Sequence, residues 1–267
     1  MRILYLGDIM AEPGRAVIID QLAALREEYS PDVVIAQSEN VSHGKSMSTA
    51  HMRLLQKAGI DFFTGGNHSL FRPTMHSLVD NPAEPVICPA NLIDVPERWG
   101  VKSIDTEKGK VLIISLLGAI VPTPIEIKNP LQTIDRILAE HPAEQYAAIV
   151  VNFHGDYSSE KRVIGYYLDG KASMVVGDHW HVPTRDAMIL PNGTAHVTDV
   201  GMCGVLHSSL GVSWQAIVDR WRDDAPTKNE IAKKGPYQIN GLLADIDPAT
   251  RLATYVEPVQ KIIQDTV

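Results

Sequence analysis

Five short apolar runs, ILYLG, DVVIAQ, DFFTG, AAIVVNF and ASMVV, constrain this chain more than any other feature. Each is rich in β-branched or aromatic residues, near strand length, and bounded by Gly, Asn, Asp or Ser. Helical patterns separate the first few. In Pro13 to Tyr29, Val17, Leu22 and Leu25 mark an apolar stripe and Pro13 suits a first helical turn. Strand, helix, strand in that order favours right-handed crossovers and a largely parallel sheet covered by helices, so the expected fold class is α/β. Near the C-terminus, YQINGLLADID, then PAT, then RLATYVEPV read as a hairpin. That adds an antiparallel component, and the expected sheet arrangement is mixed.

Composition bounds the function. At 267 residues, 45% hydrophobic and 21% charged, the chain can bury a substantial core, and one domain over 1–267 is expected. A net charge of −8 argues against a surface that holds nucleic acid, because that binding relies on Lys and Arg neutralising phosphates. A small phosphorylated ligand stays open. Cys88 and Cys203 stand at unrelated spacing, giving neither a disulfide framework nor a thiolate metal site. The apolar stretch Val111 to Val121 is far shorter than the roughly 20 residues a membrane span requires, and reads as a buried strand and turn. MRILYLGD meets an acidic residue too early for a secretory signal, so the expected location is cytoplasmic, without membrane association. Homo-oligomerisation is the default expectation for such a chain.

Each apolar run ends on a residue that can bind a metal: Asp8, Glu39, Asn67, His154 and the pair His179/His181. An open α/β sheet gathers the carboxyl ends of its strands along one crevice, where these distant residues would meet. Taken singly, each has an ordinary explanation. Glu39 can cap a helix, Asn67 can serve a turn after Gly65-Gly66, and His154 can be a satisfied core histidine. Together they describe a dinuclear site in which Glu39 bridges two ions. Nitrogen and oxygen ligands without thiolate suit iron, manganese or zinc better than calcium. Such a centre attracts a phosphate and turns water into a hydroxide able to attack phosphorus in line, while His68, beside Asn67, protonates the departing oxygen.

At these residues the chain resembles the YmdB-like family of calcineurin-like metallophosphoesterases, which are metal-dependent phosphodiesterases. The likeness runs nearly end to end: MRILYLGDI, SENVSHGK, GGNH, NFHGDYSSEK, YYLDGKASMVVGDHWH, ILPNGTAHVTDVGM and INGLLADID. It implies a four-layer αββα sandwich, two mixed sheets flanked by helices, with a dinuclear centre of iron, manganese or zinc at the strand ends. It also implies that Asp8, Glu39, Asn40 and His181 hold one metal, that Glu39, Asn67, His154 and His179 hold the other, and that His68 is the proton donor. Met10 stands where the wider superfamily carries a ligand histidine, and Asn40 is implied to take its place. The implied substrates are cyclic nucleotides, 2′,3′- or 3′,5′-cyclic, and related small phosphodiesters. Ser69-Leu70 and Trp180 replace residues usual in relatives, which implies retained chemistry with altered substrate selection.

Trp180, between the paired histidines, is read either as a stacking platform for a nucleobase or as packing against a neighbouring loop. Asp199 in TDVG is read as an acceptor that orients a ligand histidine, or as turn chemistry. His43, in a loop with Gly44 and Lys45, is read either as approaching the substrate or as an ordinary exposed loop histidine. His51, His76, His141, His196 and His207 follow no ligand-bearing strand and carry no expected role. There is no G-x-S-x-G elbow, P-loop or G-x-G-x-x-G. The rival function is a non-catalytic, metal-dependent nucleotide-binding regulatory module. A proton donor at His68 is superfluous to binding alone and disfavours it.

Overall fold

The computed structural model describes residues 1–264. In chain order, β1 (Arg2–Leu6) and the short β2 (Asp8–Ile9) lead into α1 (Ala11–Tyr29). Next come β3 (Val33–Gln37), α2 (Thr49–Ala58), β4 (Phe62–Thr64) and α3 (Pro73–Asp80). The middle of the chain forms β5 (Val101–Thr106), β6 (Gly109–Leu117), α4 (Pro130–Glu140), β7 (Ala148–His154), α5 (Ser158–Tyr167) and β8 (Met174–Asp178). It closes with β9 (Met188–Ile189), β10 (Ala195–Val197), β11 (Met202–Val205), α6 (Trp214–Asp223) and the pair β12 (Tyr237–Ile246) and β13 (Ala253–Ile263).

Side-chain alternation explains the layers. Successive residues of a strand point to opposite faces, and here both faces are apolar. Ile3 and Tyr5 of β1, Val33 and Ile35 of β3, Val111 and Ile113 of β6, Ala148 and Val150 of β7, and Met174 and Val176 of β8 all join one buried cluster. That cluster lies between the sheets. The intervening Leu4, Leu6, Val34 and Ala36 pack instead with Val17, Leu22 and Leu25 of α1 and Met52 and Leu55 of α2. On the far side, Leu112, Ile114, Ile149, Val151 and Val175 meet Ile134 and Ile137 of α4 and Ile164 of α5. Helix, sheet, sheet, helix is the resulting order. Burying one such Leu, Ile or Val contributes roughly 1.5–3 kcal/mol, so each layer is held mainly by this apolar contact. The phenol of Tyr5, inside the inter-sheet core, shares a 2.6 Å hydrogen bond with Thr64 Oγ1.

The first sheet is seven-stranded, ordered β2-β11-β12-β1-β3-β4 with β13 on β12; the second is six-stranded, ordered β5-β6-β7-β8-β10-β9. Parallel β1/β3, β3/β4, β6/β7 and β7/β8 pairings combine with antiparallel β1/β12, β12/β13, β5/β6 and β9/β10. Both sheets are therefore mixed, and the late hairpin lies where its sequence puts it. One expectation changes. Strand-end reasoning pictures a single open sheet, whereas β1, β3 and β4 belong to one sheet and β7 and β8 to the other. Strands apolar on both faces need covering on both sides, and a second sheet supplies one of the covers. No helix among the described residues is long and apolar enough to cross a membrane.

Candidate metal centre

Asp8, in the two-residue β2 beside Met202 of β11, is fully buried. Its Oδ2 lies 3.1 Å from His181 Nε2 and accepts from Asn40 Nδ2 at 2.6 Å. Asn40 follows β3, and its carbonyl accepts the Ala11 N–H at 3.0 Å, fixing that turn against the start of α1. The same Asn40 amide nitrogen is 3.2 Å from Glu39 Oε1 and 3.4 Å from His181 Nε2. Two carboxylates, from Asp8 and Glu39, thus converge on one donor with the His181 ring beside them. The ring of His181 is held from behind, with Nδ1 3.1 Å from the Leu210 carbonyl.

Glu39 joins this group to a second. Its Oε1 lies 3.4 Å from His154 Nε2, and Glu39, His154 and His179 each offer a ligand atom within 4.8 Å of the others. His154 ends β7 and is fully buried. Its Nδ1 makes a 2.6 Å contact with Asp178 Oδ1, shorter than the 3.3 Å to Gln37 Nε2, while Asn152 Nδ2 donates to Asp178 Oδ2 at 2.6 Å. A proton on Nδ1 leaves the Nε2 lone pair facing Asn67 Oδ1 at 3.0 Å. Asn67 is oriented by its own amide, whose Nδ2 donates to the Pro122 carbonyl at 2.8 Å.

These atoms fit a bound metal cation. Among the described residues Asp8 Oδ1 is buried with no hydrogen-bond partner, and His154 Nε2 lies 3.0 Å from Asn67 Oδ1 and 3.4 Å from Glu39 Oε1. Burial, reinforced by Asp8, pushes the Glu39 carboxyl well above its ordinary value. Burial likewise pushes Asp178 up to about 7 and His154 and His179 down to about 3. For Asp8, burial raises the carboxyl, but His181 and the Asn40 amide outweigh it and hold the group below its ordinary value. His154 and His179 are thus neutral ligands beside crowded carboxylates, while at His181 burial is outweighed, chiefly by Asp8, and the imidazole is raised; the charge of a bound divalent ion would remove the repulsion among the acids. Nitrogen and oxygen donors without sulfur match iron, manganese or zinc.

His68 stands at the rim, partly exposed. Its backbone N–H donates to Glu39 Oε2 at 2.9 Å, and its Nδ1 lies 3.0 Å from Asn40 Oδ1. One detail differs from the ligand set implied by sequence: Asn40 turns its oxygen to His68 and its nitrogen to Asp8, Glu39 and His181. Without a cation an amide NH2 is the group those acceptors attract. A half-turn of the amide exchanges the two atoms and presents oxygen to the same place.

Comparison with known proteins fits this geometry. Residues 4–259 match the profile of the YmdB-like protein family. The chain belongs to the YmdB-like family. Among its relatives is the 2′,3′-cyclic-nucleotide 2′-phosphodiesterase of Bacillus subtilis (strain 168), 33% identical over 259 residues, 97% of this chain and 96% of the relative. The crystal structure of a novel phosphatase from Mycoplasma pneumoniae matches with a TM-score of 0.90 at 29% identity, covering 100% of this chain and 95% of that one. The crystal structure of a hypothetical protein from Thermus thermophilus gives 0.88 at 32% identity, covering 98% and 100%. The resemblance drawn from the motifs is borne out, and so is the four-layer fold.

Within this YmdB-like site, sequence reasoning misses or misassigns several residues. Asp178, not Asp199, is the carboxylate that orients a candidate ligand histidine. Its signal is present in the sequence, an acid at the last position of the strand that precedes the histidine pair. Asp199 is instead paired with Lys161, both fully buried, with Nζ and Oδ2 2.6 Å apart. Asp199 Oδ2 also accepts the Trp180 N–H at 2.9 Å. That bond holds a strained turn, since His179 and His181 have φ of 106° and 63°. The Trp180 indole donates to the Asp156 carbonyl at 2.7 Å and has the Lys161 ammonium 3.9 Å from its ring centre. It packs against its own chain. Gly65 and Gly66 look like turn residues, yet neither has positive φ. What Gly66 supplies is room: a Cβ there would lie 2.3 Å from Glu39 Oε2 and 2.6 Å from His154. His43 is exposed, its ring centre 6.3 Å from that of His51.

Proposed function

We propose that this chain is a metal-dependent phosphoric diester hydrolase acting on cyclic nucleotides, 2′,3′-cyclic ones foremost, with His68 as proton donor. The single observation that carries the proposal is the meeting of Asp8, Glu39, Asn67, His154, His179 and His181, with His68 3.0 Å from Asn40 and bonded through its backbone to Glu39. Asp8, Glu39, Asn40 and His181 would hold one ion, and Glu39, Asn67, His154 and His179 the other. Iron, manganese or zinc, when bound, would neutralise phosphoryl charge and make water acidic enough to attack at neutral pH. Carboxylates alone would repel an anionic diester, so the residues here fit that substrate only with cations present.

The protein's own groups then have defined tasks. Water adds to phosphorus and releases a proton to solvent, the P–O bond to the ribose opens, His68 gives the departing oxygen a proton, and solvent reprotonates the imidazole. Burial, then the charge of Lys45, pushes the His68 imidazole below its ordinary value, so its protonated form is the more ready to give up that proton. Asp178 keeps His154 in one tautomer, and Asn67 is fixed through the Pro122 carbonyl. The Bacillus subtilis relative, a 2′,3′-cyclic-nucleotide 2′-phosphodiesterase, supports the substrate class.

The test is an assay of purified chain on 2′,3′- and 3′,5′-cyclic nucleotides, with metal removed and restored, beside His68→Ala. An enzyme of this design loses about 10²–10⁴-fold in turnover on losing its proton donor while its bound metal stays. Turnover in His68→Ala equal to the parent would contradict the assignment, and metal-bound chain that retains nucleotide without hydrolysing it would favour the regulatory module.

A further inference from the structure

Beside His68 the surface opens into a cavity of about 440 Å³, within the size range of small-molecule sites. One wall is made by Asn67 and His68, so the cavity begins where the metal-centre residues end. The other walls are mainly apolar, with Leu70, Phe71, Pro122 and Ile125, and Lys45 also lines the cavity. Phe71 is 64% exposed, an unusual state for a phenyl ring, and the Lys45 ammonium lies 4.9 Å from its centre. The Lys45 loop is braced by Arg72, which donates to the carbonyls of Lys45 and Ser42 at 3.2 and 3.1 Å. The wall carrying Pro122 is tied to the centre itself through Asn67 Nδ2.

From this we infer that the cavity is the nucleoside subsite, with the base lying on Phe71 and Lys45 meeting the phosphodiester charge. The inference rests on the hydrolase reading above and deepens it. A proton donor must lie on the side of the leaving oxygen, so with phosphorus at the centre the departing ribose oxygen points toward His68. The sugar and base attached to that oxygen then enter the space His68 lines. A flat heteroaromatic group matches apolar walls with one exposed ring, because every base has a face that stacks on an aromatic side chain. Trp180 does not line this cavity, and its indole N–H is bonded to the Asp156 carbonyl.

Steady-state kinetics on 2′,3′-cyclic adenosine monophosphate with parent, Phe71→Ala, Phe71→Trp and Lys45→Ala forms provide the test, with bis(4-nitrophenyl) phosphate as a nucleoside-free diester. Phe71→Ala is expected to raise KM for the nucleotide about tenfold, the loss falling on KM rather than kcat, and Phe71→Trp to restore it. Adenosine 3′-phosphate should quench the indole emission added by Phe71→Trp, and ribose 5-phosphate should not. Phe71 is exposed, so its removal leaves no core cavity; Lys45→Ala, expected to raise KM as well, gives an independent second reading. An unchanged KM in Phe71→Ala, a loss confined to kcat, or no quenching would overturn the subsite while leaving the hydrolase intact. A parent that cleaves the nitrophenyl diester but no nucleotide would also overturn it. A metal-loaded parent that cleaves neither would bring down the hydrolase reading, and the subsite with it.

Discussion

Asp178 Oδ1 lies 2.6 Å from His154 Nδ1, and both side chains are fully buried. A carboxylate behind an imidazole selects the tautomer whose other nitrogen is free to bind, and it raises that nitrogen's basicity. Asp178→Asn should keep the fold and weaken metal binding by about 10–100-fold. Titration of metal-free protein with manganese or zinc checks this, and equal affinities would show that the contact does not orient the ring.

Gly66 is the close-approach point of the centre. A methyl group there overlaps Glu39 Oε2 and the His154 ring, whose neighbours are themselves packed. Gly66→Ala should cost about 1–3 kcal/mol of stability and lower bound metal, since the two candidate ligands must move apart. Melting temperature and metal content, measured on the same sample, should fall together. A fully loaded Gly66→Ala protein would mean the centre yields more easily than its geometry implies.

Strand positions and most of the site are legible in the sequence for one physical reason. Runs such as AIVVNFH combine β-branched residues with a polar terminus, so element type and site position are encoded in neighbouring letters. Contacts between distant segments are not legible. Asp178 is marked locally as the acid that ends the strand before the histidine pair, but its contact with His154 on the neighbouring strand, and that of Asp199 with Lys161, are not. Gly66 looks like a turn residue because crowding by Glu39 and His154 leaves no mark in its own segment. The second sheet enters through family resemblance, since a strand apolar on both faces does not say whether helix or sheet covers it.

Lys161 and Asp199 form a buried ion pair, and Asp199 also holds the Trp180 N–H in the strained histidine turn. Removing one partner strands the other charge away from water. Lys161→Met should therefore destabilise the protein by about 3–5 kcal/mol, and adding Asp199→Asn should recover part of the loss. Urea denaturation of the single and double variants gives the comparison. If Lys161→Met unfolds at the parent midpoint, the pair does not hold that region.

Arg2 grips both oxygens of Asp245 at 2.7 Å, joining β1 to β12. These bonds hold the Asp245 carboxyl below its ordinary 3.8. The folded state then binds fewer protons than the unfolded state. Stability from this pair is present above 3.8 and is lost as pH falls through the folded value. Asp245→Asn should lower stability at pH 7 by up to about 1 kcal/mol and make its decline in acid shallower. Denaturation midpoints between neutral pH and the acid range test the sign. A steeper acid decline in Asp245→Asn would contradict it.

The most direct measurement is an anomalous-difference map from crystals of the chain loaded with manganese or zinc. Two peaks are expected, one among Asp8, Glu39, Asn40 and His181 and one among Glu39, Asn67, His154 and His179, with Glu39 touching both and the Asn40 amide turned to present oxygen. A map from loaded crystals with no peak at these residues, or with peaks only elsewhere, would contradict the dinuclear centre.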